Sequence, residues 1–323
     1  MSNERIAVIG GTGFAGRATV EALAAQGYQV RVIARSAAPH SPRVEPVRAD
    51  ATKVDELELA LRDVRTAVVC SRPEYWQWPT ELVPMFATII EAARRTGTRL
   101  VLCDNLYAYG VPSGPMTEST PMRPHGPKGR ARKEAAELFL RAHDLGAVSV
   151  SIGRAADFYG PGVEYPHLEM MFNAALAGRP VRLLGDGHAA HSMSYIADVG
   201  RGLATLATRD AAFGRVWHLP VAPAMSERAF VERLCAVAGK GSTVRTTPPW
   251  AVNLLFRVGG LFSPMLRELP EVQYQHEQPF VVDDSRFVRA FGVKATPLDE
   301  ALRATLEFWQ RRSAPSASVP RPA

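Results

Sequence analysis

A short apolar stretch followed at once by a glycine-rich turn and an amphipathic segment constrains the fold of this chain most. The stretch is RIAVIGG at residues 5–11. The segment AGRATVEALAAQG follows, repeats apolar residues at helical spacing and closes on Gly27. The chain is therefore predicted to open with a buried strand, a tight turn and a helix.

Five more apolar runs of strand type follow, separated by helical stretches such as DELELALRD and ELVPMFATIIEAARRTG. The runs are YQVRVIAR, VEPVRAD, TAVVC, TRLVLC and AVSVSIG. Alternation of short apolar strands with helices implies right-handed crossovers and a parallel sheet covered on both faces. We therefore predict an α/β fold, a doubly wound parallel sheet of the Rossmann type.

The turn between the first strand and helix, GGTGFAG, has the spacing of a dinucleotide-binding loop. Its glycines allow a tight turn and let the backbone approach a pyrophosphate, which then lies on the amides at the helix N-terminus. A merely tight strand-to-helix turn is the alternative. The predicted cofactor contacts in this turn are Gly10, Thr12, Gly13, Phe14 and Gly16.

The end of the second strand bears on the choice of cofactor. An NAD site usually has an acidic residue there, which binds the ribose hydroxyls, but this chain has Arg35 and Ser36. A guanidinium can pair with the 2′-phosphate of NADP, so NADP is favoured and NAD is the alternative. Asp50 and Ala51, after the third strand, are placed to meet the adenine edge, although Asp50 could equally cap the next helix.

The regular alternation of strands and helices ends at about residue 160, beyond which longer loops and proline pairs such as TTPPWAV appear. We predict an NAD(P)-binding domain over residues 1–160, its sheet completed by later segments. A smaller substrate-binding region is predicted over 161–312. Residues 313–323 have the composition of a disordered tail.

Composition narrows the classes of partner. The chain has 323 residues and a formal net charge of +6, which comes mostly from arginine scattered along the sequence. No dense basic block or interleaved aromatics occur, so nucleic-acid binding is not expected. We expect a basic enzyme with an anionic cofactor or substrate, and a small molecule as its partner.

Neither secretion nor membrane spanning is expected, because no charged segment leads into an apolar stretch at the N-terminus and no run of about eighteen apolar residues occurs. These features favour a cytoplasmic location and no membrane partner. Cys70, Cys103 and Cys235 lack CxxC spacing and are expected to be reduced thiols. His188 and His191 lie in a glycine-rich loop without a cluster of carboxylates or thiols, so no metal site is expected.

With these residues the chain resembles the extended short-chain dehydrogenase/reductase family, of the NAD-dependent epimerase/dehydratase type, over nearly its full length. Five segments carry the resemblance: GGTGFAG, RAD, LYAYG, GRAADFYGPG and LLGDGHAAHSMSYIADVG. The resemblance implies a bound dinucleotide and oxidoreductase or epimerase chemistry. Homodimers formed through two helices are common in the family, so a homodimer is an expectation by analogy.

Family members use a serine and a YxxxK pair, whose lysine binds the nicotinamide ribose and lowers the pKa of the tyrosine. Matching Lys133 and Glu137 to the family's lysine and a following glutamate puts Gly129 at the tyrosine position. Residues 110–158 contain no tyrosine at all, and the serine position holds Asn105. The resemblance thus assigns Lys133 to cofactor binding and catalysis, and leaves the proton donor open.

Either the usual proton transfer does not occur, or another group performs it. An asparagine such as Asn105 can orient a carbonyl but cannot supply a proton at neutral pH. The candidate acids and bases are Tyr107, Asp104, Asp157, Tyr159 and His191, which follow the fifth and sixth strands or lie in the later glycine-rich loop. The alternative to a catalytic role is side-chain packing for Tyr109 and Tyr159, and hydrogen bonding to the backbone for Asp157.

Three functions follow from this arrangement. The first is an NADP-dependent oxidoreductase or epimerase-like enzyme for a small metabolite with a hydroxyl or carbonyl group. The others are a dinucleotide-binding regulator without redox turnover, and a redox-neutral lyase or cyclase. His191 stands where nucleotide-sugar enzymes of this family have an arginine for the sugar diphosphate, which makes a nucleotide sugar less expected.

Overall fold

The computed structural model describes residues 4–36, 40–185 and 187–313, so residues 314–323 of the predicted tail lie outside the described residues. The strands are β1 (Arg5–Ile9), β2 (Gln29–Ala34), β3 (Val44–Arg48), β4 (Thr66–Val69), β5 (Arg99–Asp104), β6 (Val150–Arg154), β7 (Asp157–Tyr159), β8 (Val181–Leu184), β9 (Ala190–His191), β10 (Met193–Tyr195), β11 (Arg215–His218), β12 (Met225–Ser226) and β13 (Val244–Thr247). The helices are α1 (Phe14–Ala25), α2 (Val54–Ala60), α3 (Trp78–Thr96), α4 (Pro127–Asp144), α5 (Pro166–Leu176), α6 (Ile196–Thr208), α7 (Glu227–Ala238), α8 (Pro249–Gly259), α9 (Pro264–Glu268), α10 (Tyr274–Glu277), α11 (Ser285–Phe291) and α12 (Leu298–Ser313).

Seven strands form one parallel sheet in the order β11-β6-β5-β4-β1-β2-β3. The six strands expected from the apolar runs all belong to it, which confirms the predicted parallel α/β fold. The seventh, β11, comes from the part of the chain after residue 160. The domain division at that residue stays a prediction.

The central strand β1 shows why both faces of the sheet are covered. Ile6 and Val8 point to one face and join a core with residues of α1 and α6. Ala7 and Ile9 point to the other face and join residues of α2, α3 and α4. A strand that is apolar at every position is stable only between two layers, so the helices must cover both sides.

The strand order reverses between β1 and β4, because β2 and β3 continue to one side of β1 and β4 begins the other side. Open α/β sheets bind ligands at this point, beyond the carboxyl ends of the strands. The GGTGFAG turn and the loop after β4 meet there. The order of the strands thus brings the predicted cofactor loop to the place where the fold leaves a crevice.

The segments after residue 160 add three short strand pairs, β7 with β10, β8 with β13, and β9 with β12. Helices α5, α7 and α12 pack against one another. Buried residues of this region, such as Phe172, Leu234 and Trp309, share a core with one face of the large sheet. Among the described residues, no helix has the length and apolar character needed to cross a membrane.

A buried charge network joins β5, β6 and α4. Asp104, the last residue of β5, accepts a hydrogen bond from Arg154 Nε at 3.0 Å and one from Arg132 Nη1 at 3.4 Å. All three residues are at most 4% exposed. The guanidinium of Arg132 also lies 4.0 Å from the ring centroid of Trp78. One carboxylate therefore neutralises two buried cations and fixes three elements at the edge of the crevice.

Replacement of Asp104 by Asn should strongly destabilise the protein, because it leaves two buried guanidiniums without a counter-charge. Breaking a buried pair in this way costs about 3–5 kcal/mol. Urea unfolding monitored by circular dichroism measures the loss. Asp210→Asn is the matched control, since the Asp210 carboxylate also bridges two arginines, Arg65 and Arg99, but is exposed. Similar losses in the two variants would contradict a central role for the buried network.

Candidate active site

Two glycines of the GGTGFAG turn are required by packing. Gly10 has φ +80°, and a Cβ there would lie 2.5 Å from the amide nitrogen of Ser71, in the loop after β4. A Cβ on Gly16 would lie 2.2 Å from the carbonyl oxygen of Gly10. The turn is therefore folded tightly against itself and against the neighbouring loop, with no space for side chains at either position.

Gly13 differs from these two residues. Its φ of −76° suits any amino acid, and the nearest protein atom to a Cβ there, Gly10 O, is at 3.5 Å. It is exposed and precedes α1, whose first turn has no acidic residue and no side-chain cap. The fold does not require glycine here, whereas a ligand lying on the open helix N-terminus would. The turn thus fits the pyrophosphate of a dinucleotide.

Residues 162–165 fold over the same turn. Arg17 Nη2 donates to the carbonyl of Gly162 at 2.8 Å, and the ring of Phe14 packs edge-on against Tyr165 with centroids 5.2 Å apart. Thr12 is partly exposed. The cofactor contacts predicted for Thr12 and Phe14 stay predictions, and the segment after β7 packs against the first turn of α1.

Arg35 and Ser36 follow β2 and are exposed, as the predicted 2′-phosphate contact requires. The carboxylate of Asp50 accepts hydrogen bonds from the amide of Thr52 at 2.9 Å and from its hydroxyl at 2.8 Å. These bonds lower the pKa of Asp50, with a smaller contribution from the charge of Arg35. Asp50 thus closes a turn just before α2, and its contact with adenine, like that of Ala51, stays a prediction.

Helix α4 carries the position that the resemblance assigns to tyrosine. A Cβ on Gly129 would lie 2.8 Å from the carbonyl oxygen of Tyr107 and 2.9 Å from Cβ of Pro124. The side chain of Lys133, one turn later, is 38% exposed, and its Nζ lies 3.8 Å from Glu137 on the same helix. The structure therefore leaves no space for a tyrosine at Gly129. The catalytic role of Lys133 stays a prediction.

The buried cations of α4 are Lys128 and Arg132. Lys128 directly precedes Gly129, and Arg132 directly precedes Lys133. Lys128 is fully buried, and its ammonium pairs with Glu268 and, at 2.8 Å, with Glu271. Sequence reasoning missed both cations. Their four-residue spacing in KGRAR places both cations on one face of a helix and could have identified them. The glutamates that pair with Lys128 lie about 140 residues away, and no local pattern in the sequence points to them.

The loop after β5 holds two candidate residues in a local turn. Asn105 Oδ1 accepts a hydrogen bond from the amide of Tyr107 at 3.2 Å. The Tyr107 hydroxyl lies 3.5 Å from that of Tyr75, and burial raises the pKa of both phenols. These phenols remain protonated at neutral pH, so they can donate hydrogen bonds but are poor bases.

Asp157 and His191 form a pair that lies beyond β6. His191 Nε2 is 3.0 Å from Asp157 Oδ2, and Nδ1 is 3.0 Å from the carbonyl oxygen of Gln275. A carbonyl and a carboxylate both only accept, so two hydrogen bonds require a proton on each ring nitrogen. The geometry therefore fits an imidazolium beside a carboxylate, or a neutral pair with the extra proton on Asp157.

The electrostatic environment agrees with this geometry. Burial alone would lower the pKa of His191, but the hydrogen bond and charge of Asp157 outweigh it and raise that pKa. Burial alone would raise the pKa of Asp157, but His191, His276 and His167 together lower it. A second pair lies alongside, since His276 Nδ1 contacts Glu227 and its ring stacks on His191 at 5.0 Å.

Asp157 is the accessible member of the pair: its side chain is 44% exposed, against 2% for His191. It also lies among phenols, because its charge adds to burial in raising the pKa of four tyrosines, Tyr75, Tyr107, Tyr165 and Tyr274. Within the described ranges, no three His, Cys, Asp or Glu side chains are grouped to hold a metal ion. The arrangement suits proton transfer at Asp157.

Other candidates have structural roles. The Tyr109 hydroxyl is 2.7 Å from His218 Nε2, and burial lowers the pKa of His218 to about 4, which keeps that imidazole neutral. Tyr159 is fully buried and packs against Phe230. Asp104 belongs to the buried arginine network. Of the residues proposed as acids or bases, the structure brings Tyr107, Asp157 and His191 into one cluster.

Comparison with known proteins places this chain in a family. Residues 6–219 match the sequence profile of the NAD dependent epimerase/dehydratase family. A dTDP-6-deoxy-L-talose 4-dehydrogenase of Kitasatospora kifunensis is 32% identical over 170 residues, 49% of this chain and 54% of that protein. A decarboxylating sterol-4-alpha-carboxylate 3-dehydrogenase of Mus musculus is 25% identical over 287 residues, 84% of this chain and 78% of that protein.

The fold agrees as well. The crystal structure of a dTDP-glucose 4,6-dehydratase from Streptomyces venezuelae, solved with NAD bound, has a TM-score of 0.75 at 20% identity and covers 95% of this chain and 97% of its own. The match to the first curated relative spans about half of that relative's length. The chain belongs to the NAD-dependent epimerase/dehydratase family.

Proposed function

We propose that this chain is an NADP-dependent oxidoreductase or epimerase-like enzyme in which Asp157 and His191 take over the proton transfer of the missing tyrosine. Its substrate would be a small metabolite with a hydroxyl or carbonyl group. The observation that carries the proposal is the 3.0 Å contact between His191 Nε2 and Asp157 Oδ2, with both histidine nitrogens facing oxygen acceptors.

The exposures of the two side chains support different roles for them. Asp157 is the member that a substrate oxygen can reach, whereas His191 is enclosed and holds the extra proton. In carbonyl reduction the proton passes from the pair, through Asp157, to the substrate oxygen. In alcohol oxidation the pair starts without the extra proton: the ionised Asp157 accepts the hydroxyl proton and passes it to Nε2 of the neutral His191. NADP, when bound, supplies or accepts the hydride.

The neighbouring phenols support this assignment. Tyr75 and Tyr107 stay protonated because burial raises their pKa, so they can donate hydrogen bonds that orient a substrate oxygen. They need not exchange a proton with it. In this proposal the tyrosines position the substrate and the Asp157–His191 pair performs the acid–base step.

A substrate without a sugar diphosphate fits best. His191 is buried, and both its nitrogens are committed to Asp157 and Gln275, so it cannot replace an arginine that binds a diphosphate. The groups around Asp157 are mostly aromatic and histidine side chains, with the guanidinium of Arg72 beside Tyr165. They favour a compact ring or carbonyl compound over a nucleotide sugar, although relatives named above act on dTDP-linked sugars.

Gly13→Ala should leave the fold intact and impair cofactor binding, because its methyl group enters the space that the pyrophosphate needs. We expect an unchanged unfolding midpoint and an NADPH affinity lower by about tenfold or more, or about 1.4 kcal/mol. Titration calorimetry measures the affinity. Gly16→Ala is the control for packing, since its Cβ would collide with Gly10 and destabilise the protein. Normal NADPH binding by Gly13→Ala would contradict the assigned pyrophosphate site.

Arg35→Ala should weaken NADPH binding and leave NADH binding unchanged, because only NADPH carries the 2′-phosphate. A charge-assisted hydrogen bond of this kind contributes about 1.5–3 kcal/mol. Calorimetry with both cofactors tests the difference. Arg215→Ala removes an exposed arginine at the start of β11, at the other edge of the sheet, and should change neither affinity. The NADP assignment is wrong if the wild-type protein binds both cofactors equally.

Asp157→Asn should lower the rate of NADPH-dependent reduction of small ketones about 100- to 10,000-fold, the usual contribution of general acid–base catalysis. In the wild-type protein this rate should fall as pH rises through the pKa of His191, which is raised above 6.5. The variant removes the partner that raises this pKa, so the decline should move to lower pH.

An NMR titration of the His191 ring measures the same pKa without a substrate. It should lie above 6.5 in the wild-type protein and fall in Asp157→Asn. Tyr107→Phe is the matched variant: it removes a positioning group, so it should reduce the rate and leave the pH profile in place. Brisk reduction by Asp157→Asn with an unaltered profile would exclude the pair as the proton source. If the pKa of His191 is raised as predicted but the protein shows no redox turnover, a redox-neutral enzyme or a regulator would be favoured instead.

A further inference from the structure

Helices α8 and α9 carry an exposed apolar surface that the proposed function does not use. We call residues 249–268 the apolar helix pair. The exposed side chains are those of Trp250, Leu254, Leu255, Val258, Leu261, Phe262 and Met265. Leu261 and Phe262, in the turn between the helices, are 79% and 84% exposed. Contiguous apolar surface of this kind marks an interaction site.

The pair is anchored to the body of the protein, so its exposed face is a defined surface. Val252 and Phe256 are buried on its inner side. Glu268, at the end of α9, pairs with the buried ammonium of Lys128. Helix α9 also contacts the 3₁₀ turn at Tyr75–Gln77, beside the candidate site. The apolar side chains therefore project from a fixed position near the mouth of the crevice.

The charge beside this surface is mostly positive: within residues 233–268 the one acidic residue is Glu268, which pairs with Lys128 and Arg267. Residues 233–267 contain five basic residues and no acidic ones. Arg245 on β13 stands in register with Arg182 on β8, and both are exposed. Arg257 is exposed within α8 itself. None of these three arginines has a carboxylate partner within 4.0 Å in the part of the chain that the structure describes. Arg257 thus places a positive charge within the exposed helix α8, and Arg245 lies four residues before that helix begins.

We propose that the apolar helix pair docks on the surface of an anionic lipid bilayer. The apolar side chains would enter the boundary between headgroups and acyl chains, where tryptophan is favoured, and the arginines would meet the lipid phosphates. A second copy of the chain fits less well, because a twofold contact places the same patch on both sides and brings arginines of like charge together.

Such docking differs from membrane spanning. An interfacial surface needs an apolar face and basic residues, but no long apolar run. The sequence-based expectation of no membrane partner rested on the absence of such a run, so it does not address this kind of contact. Docking would hold the mouth of the crevice close to the lipid surface, since α9 contacts the turn at Tyr75–Gln77.

Sedimentation with vesicles tests the proposal on the full-length protein. The vesicles are phosphatidylcholine with about a third phosphatidylserine, or phosphatidylcholine alone. The protein should sediment with the anionic vesicles and be released at high salt, which screens the arginines. Trp250 should report the contact, because a blue shift of tryptophan emission with these vesicles should be lost in Trp250→Phe.

The double substitution Leu261→Ser with Phe262→Ser should reduce vesicle binding about tenfold or more. Both side chains are exposed, so the fold should be unaffected. Leu145→Ser is the matched control, since Leu145 is 77% exposed at the end of α4, outside the patch, and its variant should bind normally. The proposal is overturned if the wild-type protein does not sediment with anionic vesicles or if the double variant binds as well as the control. A dimer in light scattering that dissociates in the double variant would assign the face to a second copy and also overturn it.

Discussion

The carboxylate of Asp104 is the constraint on which the rest of the candidate site depends. It accepts hydrogen bonds from Arg154 of β6 and Arg132 of α4. The backbone carbonyl of Asp104 also accepts a hydrogen bond from the amide of Ala155. The segments that follow these strands carry Tyr107 and Asp157. Two guanidiniums cannot remain buried without a counter-charge. The network therefore stabilises the fold and fixes where the loops at the crevice begin.

The Asp157–His191 pair couples the site to pH in both directions. The raised pKa of His191 contributes stability below its ordinary value of 6.5, and this is lost as pH rises through the raised pKa. The lowered pKa of Asp157 contributes stability above 3.8, and this is lost as pH falls through the lowered pKa. Both contributions are complete between these two values. The Asp157–His191 pair therefore contributes most to the stability of the fold in mildly acidic solution.

The sequence predicted the parts of this structure that depend on local patterns. Apolar runs such as RIAVI located β1, and the glycine spacing located the turn at Gly10 and Gly16, because both features reflect neighbours in the chain. The pairing of Lys128 with Glu268 and Glu271 could not be predicted, since tertiary packing alone brings these residues together. Likewise, the sequence does not distinguish His191 from the other candidate acids and bases, because tertiary packing brings it to Asp157 and Gln275.

The absence of the family tyrosine is built into the packing of α4. A side chain at Gly129 would meet the carbonyl of Tyr107 and the ring of Pro124, so the helix lies closer to the loop after β5 than a tyrosine would permit. This close approach places the Tyr107 hydroxyl beside Tyr75, in the cluster around Asp157. Restoring tyrosine at Gly129 would push the helix away from that loop. One backbone contact therefore both excludes a tyrosine side chain at Gly129 and fixes the loop that carries Tyr107, a member of the proposed site.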